Sequence, residues 1–173
     1  MTGIIADTAT AVNQPFWGGY GTTSYKILFV IHIGAVIAAF GPLFAGRMLN
    51  VEAAKHSGPD AKALASLPLT IVNRISVPAF FVAVVAGMGL IGDSEKLYKF
   101  EQAWISYAFS LILVIALVYW FLLRPAQRRL VAAVEASSAD ETRSARATSA
   151  AATGLIHLSM LGLIVLMVWK PGL

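Results

Sequence analysis

Four uncharged segments constrain the fold of this chain more than any other feature of its sequence. They run from Ile27 to Gly46, from Ile75 to Gly92, from Gln102 to Leu123 and from Ala147 to Trp169. Because a helix rises about 1.5 Å per residue, each segment covers roughly 27 to 35 Å, and the hydrocarbon core of a bilayer is about 30 Å thick. The sequence therefore predicts four transmembrane helices.

The composition points to the same class of protein. The mean hydropathy is +0.74 and 13% of the residues are charged, whereas a soluble domain carries about 25%. The chain has no cysteine, which excludes disulfides, thiolate metal sites and a cysteine nucleophile. The net charge of +4 is interpreted as a record of membrane topology, and no nucleic-acid binding is predicted.

The positive charges predict the orientation. Nine of the 13 Lys and Arg residues fall between the first and second or between the third and fourth uncharged segments. Positively charged loops stay on the cytoplasmic side of a membrane, and short loops join antiparallel neighbours. We therefore expect an all-α, antiparallel bundle that crosses a membrane four times, with the basic connections in the cytoplasm and both termini outside.

Prolines and caps refine the predicted boundaries. Pro68 suits the first turn of the second helix, and Ser138 with Glu141 has the spacing of a capping box, which predicts a start near Ala139 for the fourth. Pro125 interrupts the third helix, and an Ala-rich segment follows that favours a short helical extension. An external tail, 1–24, precedes a transmembrane domain, 25–173, with spans at 27–48, 69–92, 102–123 and 147–169.

Small residues predict which helices pack closely, because they let two backbones approach in lipid. The first helix carries one such stripe, with a second stripe of Ala35, Ala39, Pro42 and Gly46 beside it. The third helix is bulky on nearly every side, which favours contact with lipid or with a partner protein. The residues predicted to pack the first two helices together are Gly34, Ala38, Gly41, Ala45, Ala79, Ala83 and Gly87.

Two histidines lie inside predicted spans, where ionisable groups usually face the bundle interior. His32 and His157 are candidate ligands of one haem iron, although they lie roughly 9 Å and 18 Å below the same boundary. The leading interpretation is a neutral, hydrogen-bonded imidazole at each position, His157 bonding to Thr153. Proton handling and quinone contact are the remaining alternatives.

Arg74 and Asn73 form a second polar group, one turn inside the second helix. A guanidinium at that depth can extend to the headgroups, or it can bind an anionic lipid or a partner subunit. The sequence contains no paired carboxylates, nucleophile triad or metal-ligand cluster. No catalytic or metal-binding residue is therefore predicted.

The segments YKILFVIHIGAVIAAFGPLFAGR and NRISVPAFFVAVVAGMGL resemble the bacterial four-helix membrane proteins grouped as domain of unknown function 2269. That family carries a lysine, five residues, a histidine and a Gly-Pro pair in helix one, and an arginine, a proline and a Gly-rich end in helix two. The resemblance implies a fold more than an activity. The matching positions are Lys26, His32, Gly41, Pro42, Arg74, Pro78 and Gly87.

A wider resemblance is to membrane haem proteins of the protoporphyrinogen-oxidising type, whose first helix also begins with a histidine in an apolar run. It implies a haem-binding role for His32. Those proteins use a lysine in a later helix as a second essential group, and the third predicted helix here contains no lysine.

The leading functional hypothesis is a non-enzymatic accessory or scaffold subunit of a larger bacterial membrane assembly, such as a respiratory one. It is favoured because the spans carry few candidate catalytic groups, and its partners would be the bilayer and other subunits or a second copy. The first alternative is a redox protein that binds b-type haem through His32, with His157 as candidate second ligand. The second alternative is a transporter or channel component.

Overall fold

The computed structural model describes residues 19–95 and 97–171, and this part of the chain is helical without strands. Its helices are α1 (Thr23–Ala53), α2 (Gly58–Gly92), α3 (Ala103–Glu135) and α4 (Ala139–Trp169). Each is long and apolar enough to cross a membrane, as the sequence predicts. Most of the predicted external tail, up to residue 18, lies outside the described residues.

The helices form two hairpins. α1 packs along α2, and α3 packs along α4. The connections α1–α2 and α3–α4 lie at one end of the bundle, called here the basic end, and the first half of α2 contacts the second half of α3 there. At the opposite end, called the terminal end, the backbones of the last part of α2 and the first part of α3 stay further apart in the described residues, although Ile91 packs against the cluster of Tyr98, Trp104 and Ile105. The hairpins therefore diverge towards the terminal end.

The predicted start of the second helix is wrong. α2 begins at Gly58, and Pro59 rather than Pro68 occupies its first turn. Pro68 lies inside the helix and faces Gly46 of α1, where a Cβ atom would be in ordinary contact with Cβ of Pro68 at 3.5 Å. The helix therefore begins at the basic end, well before the predicted span 69–92.

The predicted start of the fourth helix is confirmed at Ala139, but its capping box does not form, because the Ser138 side chain makes no capping hydrogen bond. Ser138 instead closes the preceding helix. Ser137 has a φ of 53°, and the N–H of Ser138 donates to the carbonyl oxygen of Ala133 at 3.0 Å. This is the pattern of a Schellman motif, in which a left-handed residue lets the chain satisfy the last carbonyls of a helix.

Two π-helical segments keep α2 and α3 continuous. They cover Val72–Ser76 and Tyr119–Leu123, and each ends two residues before a proline, Pro78 or Pro125. A proline cannot donate to the carbonyl four residues earlier, and a wider π turn accommodates that loss. The predicted extension after Pro125 is therefore helical, but it continues α3 to Glu135 without a break.

A hydrogen bond joins the two π segments directly. The Tyr119 hydroxyl donates to the Oδ1 atom of Asn73. Asn73 and Arg74 are both exposed, but Asn73 is bonded to another helix. The link connects the two hairpins at the level where both helices widen.

The buried core draws on all four helices and identifies the packed face of α1. His32, Ala35, Ala39 and Leu43 are buried at helical spacing. The neighbouring stripe lies on the other side: Gly34, Gly41 and Ala45 are exposed, Ala38 is half-buried, and a Cβ atom at Gly34 or Gly41 would meet nothing within 4 Å. On the facing stripe of α2, Ala83 is buried and Ala79 and Gly87 are half-buried.

Candidate functional site

His32 connects α1 to α2 through a single ring nitrogen. Its side chain is 7% exposed, and Nδ1 lies 2.7 Å from the carbonyl oxygen of Ala83. Because a carbonyl oxygen only accepts hydrogen bonds, Nδ1 must carry the proton. In the neutral ring, Nε2 is then left with a lone pair that can accept a hydrogen bond or bind a metal.

Gly87 allows the imidazole to lie against α2. A Cβ atom at this position would be 3.1 Å from Cε1 and 3.3 Å from Nδ1 of His32. Those separations are closer than ordinary carbon contacts, which lie at about 3.5 to 4.0 Å. The observed position of the ring therefore requires a residue without a side chain at position 87.

His32 lines a cavity between the diverging hairpins, called here the terminal cavity. Its volume is about 330 Å³, and its walls come from all four helices. Ligand sites are typically of about 300 to 1,000 Å³ and are mostly apolar, with a few placed polar groups. The terminal cavity has this character: its walls are mainly aliphatic and aromatic, and its polar members are His32, Tyr25, Tyr98, Trp104 and Lys170.

Two side-chain hydrogen bonds lie at the terminal end of the bundle, and one of them involves residues of this cavity. Lys170 donates from Nζ to the Tyr98 hydroxyl at 2.6 Å and also lies over the Tyr98 ring, 4.6 Å from its centroid. On the other hairpin, the Ser24 hydroxyl donates to Oδ2 of Asp93 at 2.6 Å. The start of α1 is thereby bound to the end of α2, and α4 is bound to the connection before α3.

The structure does not bring His32 and His157 together. His157 lies against Phe44, with 4.0 Å between the ring centroids, and it lines a different cavity near the basic end. Phe44 is twelve residues beyond His32 on α1, which is about 18 Å along the helix axis. The predicted hydrogen bond from His157 to Thr153 is absent, since Nε2 of His157 has no partner among the described residues.

The second cavity, called here the basic-end cavity, has a volume of about 520 Å³. Sequence reasoning missed it, because its polar residues come from α1, α3 and α4. One signal was available in the sequence: four polar residues of α4 repeat at spacings of three and four. The polar residues that line it are Arg47, Asn50, Tyr119, Gln127, Arg146, Ser149, Thr153 and His157.

The side chains that line the cavities decide which of the suggested cofactors this chain can hold. Within the described residues, no group of three or more His, Asp and Glu side chains is placed to hold a metal ion. For haem, His32 fits as an axial ligand through Nε2, in an apolar cavity, whereas His157 does not fit as the second ligand. Comparison of the chain with protein-family models, curated proteins and solved structures finds no match.

Proposed function

We propose that the chain is a multi-pass protein of the bacterial inner membrane that binds a lipophilic cofactor in the terminal cavity. The observation that carries the proposal is the hydrogen bond from Nδ1 of His32 to the Ala83 carbonyl. Histidines that bind a metal usually donate their other ring N–H in this way, which fixes the tautomer and raises the basicity of the ligating nitrogen. Nε2 of His32 is accordingly the atom that orients the ligand.

The membrane location is supported by the outer surface of the bundle. Large apolar side chains are exposed on every helix, among them Val30, Phe81, Leu113 and Leu158. Such a surface would be costly in water and is expected in lipid, where helices satisfy their own backbone groups. The excess of positive residues at the basic end favours its placement in the cytoplasm, with both termini outside.

A b-type haem is the cofactor that this cavity suits best. Four-helix bundles bind cofactors between side chains of facing helices. His32 would hold the iron, the apolar walls would exclude water, and Lys170 with Tyr98 would face a carboxylate at the terminal end. When bound, haem supplies one-electron redox chemistry. A quinol is the other ligand that the site could accept, since its hydroxyl would donate to Nε2 of His32.

The test uses the protein purified in mild detergent, with absorption spectra of its oxidised and dithionite-reduced forms. A Soret band that sharpens on reduction is expected in the parent protein. His32→Ala and His32→Gln are both expected to lose the band, because neither replaces the ligating nitrogen. The amide of the His32→Gln variant can still donate to the Ala83 carbonyl. Loss of the band in this variant would therefore result from loss of the ligating nitrogen and not from loss of the contact between α1 and α2.

His157→Ala is the matched control, because it removes an imidazole from the other cavity and should keep the band. Retention of an identical band in both His32 variants would contradict the role of His32. If the parent protein has no Soret band, its bound molecules are extracted with organic solvent. A quinone recovered from the parent protein but not from His32→Ala would still support a ligand site at His32. Absence of both the band and the quinone would overturn the proposal.

A second function, as an accessory subunit, is favoured by the exposed small-residue stripe of α1. Gly34, Gly41 and Ala45 face away from the bundle, and such surfaces allow close approach of another transmembrane helix. The stripe would accept a second copy or a partner subunit. The mass of the assembly in mild detergent tests this function, since a lone chain contradicts it.

A further inference from the structure

The basic-end cavity contains buried polar atoms without partners. Four side-chain atoms that lack a hydrogen-bond partner among the described residues line it: Asn50 Oδ1, Gln127 Oε1, Arg146 Nε and His157 Nε2. Buried polar groups are normally hydrogen-bonded, and those that are not require an explanation such as a bound ligand. Their convergence on one cavity indicates that the missing partner is a single polar molecule.

Two of these groups are held in place by the fold. Gln127 is 5% exposed, and its Nε2 atom donates to the Ser149 hydroxyl at 2.8 Å, which leaves Oε1 as the unpartnered atom. Asn50 is 9% exposed near the end of α1. Oε1 of Gln127 is therefore a fixed acceptor and Oδ1 of Asn50 is a second buried acceptor, and both need donors, which hydroxyl groups supply.

The charge of the cavity selects an anion. Arg47 and Arg146 line it, and among the described residues no carboxylate does. The ion pairs at this end, Lys55 with Glu52 and Lys62 with Glu135, involve neither arginine. A guanidinium matches the geometry of a phosphate through two parallel N–H bonds.

We infer that the basic-end cavity binds a phosphate ester that carries hydroxyl groups, as in the headgroup of phosphatidylglycerol. The arginines take the phosphate, and the amides of Asn50 and Gln127 accept from the hydroxyls. The other walls are apolar, with Leu43, Phe44 and Leu69 among them, and suit the start of an acyl chain. Basic cavities between transmembrane helices on the cytoplasmic side bind anionic lipid headgroups in this way.

This inference rests on the proposed membrane location, but not on the ligand at His32. Native mass spectrometry in mild detergent, with phosphatidylglycerol, phosphatidylcholine and glycerol 3-phosphate each added in turn, tests it. Phosphatidylglycerol should bind more tightly than phosphatidylcholine, whose headgroup lacks the hydroxyls. Arg146→Gln should weaken that binding about tenfold to a hundredfold, the usual effect of losing a hydrogen bond to a charged group.

Arg143→Gln is the matched control, because it removes the same charge one turn earlier on α4, where the side chain is exposed. Binding by this variant should equal that of the parent protein. Asn50→Asp is an independent test, because it places a negative charge in the cavity with almost no change of shape. It should also weaken the binding of phosphatidylglycerol. His32→Ala should leave this binding unchanged, which separates the two sites.

Any of three results would overturn the inference. The first is equal binding of the two lipids together with no binding of glycerol 3-phosphate. The others are an equal loss of phosphatidylglycerol binding in Arg146→Gln and Arg143→Gln, or unchanged phosphatidylglycerol binding in Asn50→Asp. Binding of glycerol 3-phosphate with the same dependence on Arg146 would support the phosphate-ester site and assign its ligand to the aqueous side. Thermal unfolding of each variant verifies that the bundle is intact.

Discussion

The Gly87→Val variant is expected to unfold at a lower temperature than the parent protein and to lose the ligand of the terminal cavity. The new Cβ atom alone would lie 3.1 Å from Cε1 of His32, and the two further methyl groups extend into the same space. His32 cannot move away freely, because its Nδ1 atom is bonded to Ala83. Overpacking of this kind costs about 1 to 3 kcal/mol, and loss of the hydrogen bond adds about 1 kcal/mol.

Gly92→Val is the matched control for this prediction. It makes the same substitution near the end of α2, at an exposed glycine where a Cβ atom meets nothing within 4 Å. The free energy of unfolding should then change by no more than about 0.5 kcal/mol. Equal unfolding temperatures for the two variants in mild detergent would show that His32 does not lie against α2 at Gly87.

Leu130→Ala should produce a comparably large loss of stability, by removing a contact at the basic end. Leu130 is 1% exposed and lies on the part of α3 beyond the predicted span, packed between α2 and α4. Water rather than lipid is expected to surround this end, so the variant loses both the transfer free energy of the side chain and its packing. Together these terms amount to about 2 to 5 kcal/mol.

Leu122→Ala is the control, since this leucine is exposed on α3 within the predicted span. Lipid tails are as apolar as leucine, so its removal should cost little. Thermal unfolding followed by circular dichroism measures both variants. A small effect of Leu130→Ala would mean that the extension of α3 does not pack on the bundle.

The sequence predicted the number of helices well, because an uncharged segment of sufficient length has few other solutions. It predicted the start of α2 poorly. Pro68 and Pro59 both fit a first turn, and only the start of the helix at Gly58 in the structure shows that Pro68 is interior. The two π segments were also missed, since a proline signals a lost hydrogen bond but not how the helix compensates for it.

The packed face of α1 shows a similar limit. Two stripes of small residues lie side by side on this helix, and spacing alone cannot decide which one faces α2. His32 provided the better indication, because it shares a face with Ala35 and Ala39, and these three residues are buried together.

The basic-end cavity was beyond sequence reasoning for a different reason. Asn50, Gln127 and Arg146 lie on three helices, and only the packing of the two hairpins brings them to one cavity. In the sequence alone, Arg146 was interpreted only as one of the nine positive residues that indicate the orientation of the chain in the membrane. The stripe from Arg146 to His157 on α4 was visible, but nothing in the sequence showed what faced it.

Native mass spectrometry of the parent protein, released from mild detergent without added ligand, is the most direct test that the terminal cavity holds a lipophilic molecule. The expected mass exceeds that of the 18.4 kDa chain by one haem or quinone for each copy, which its mass distinguishes from any phospholipid in the basic-end cavity. Gly92→Val should retain the additional mass, and Gly87→Val should lose it. A folded parent protein with the mass of the bare chain would contradict the role assigned to His32.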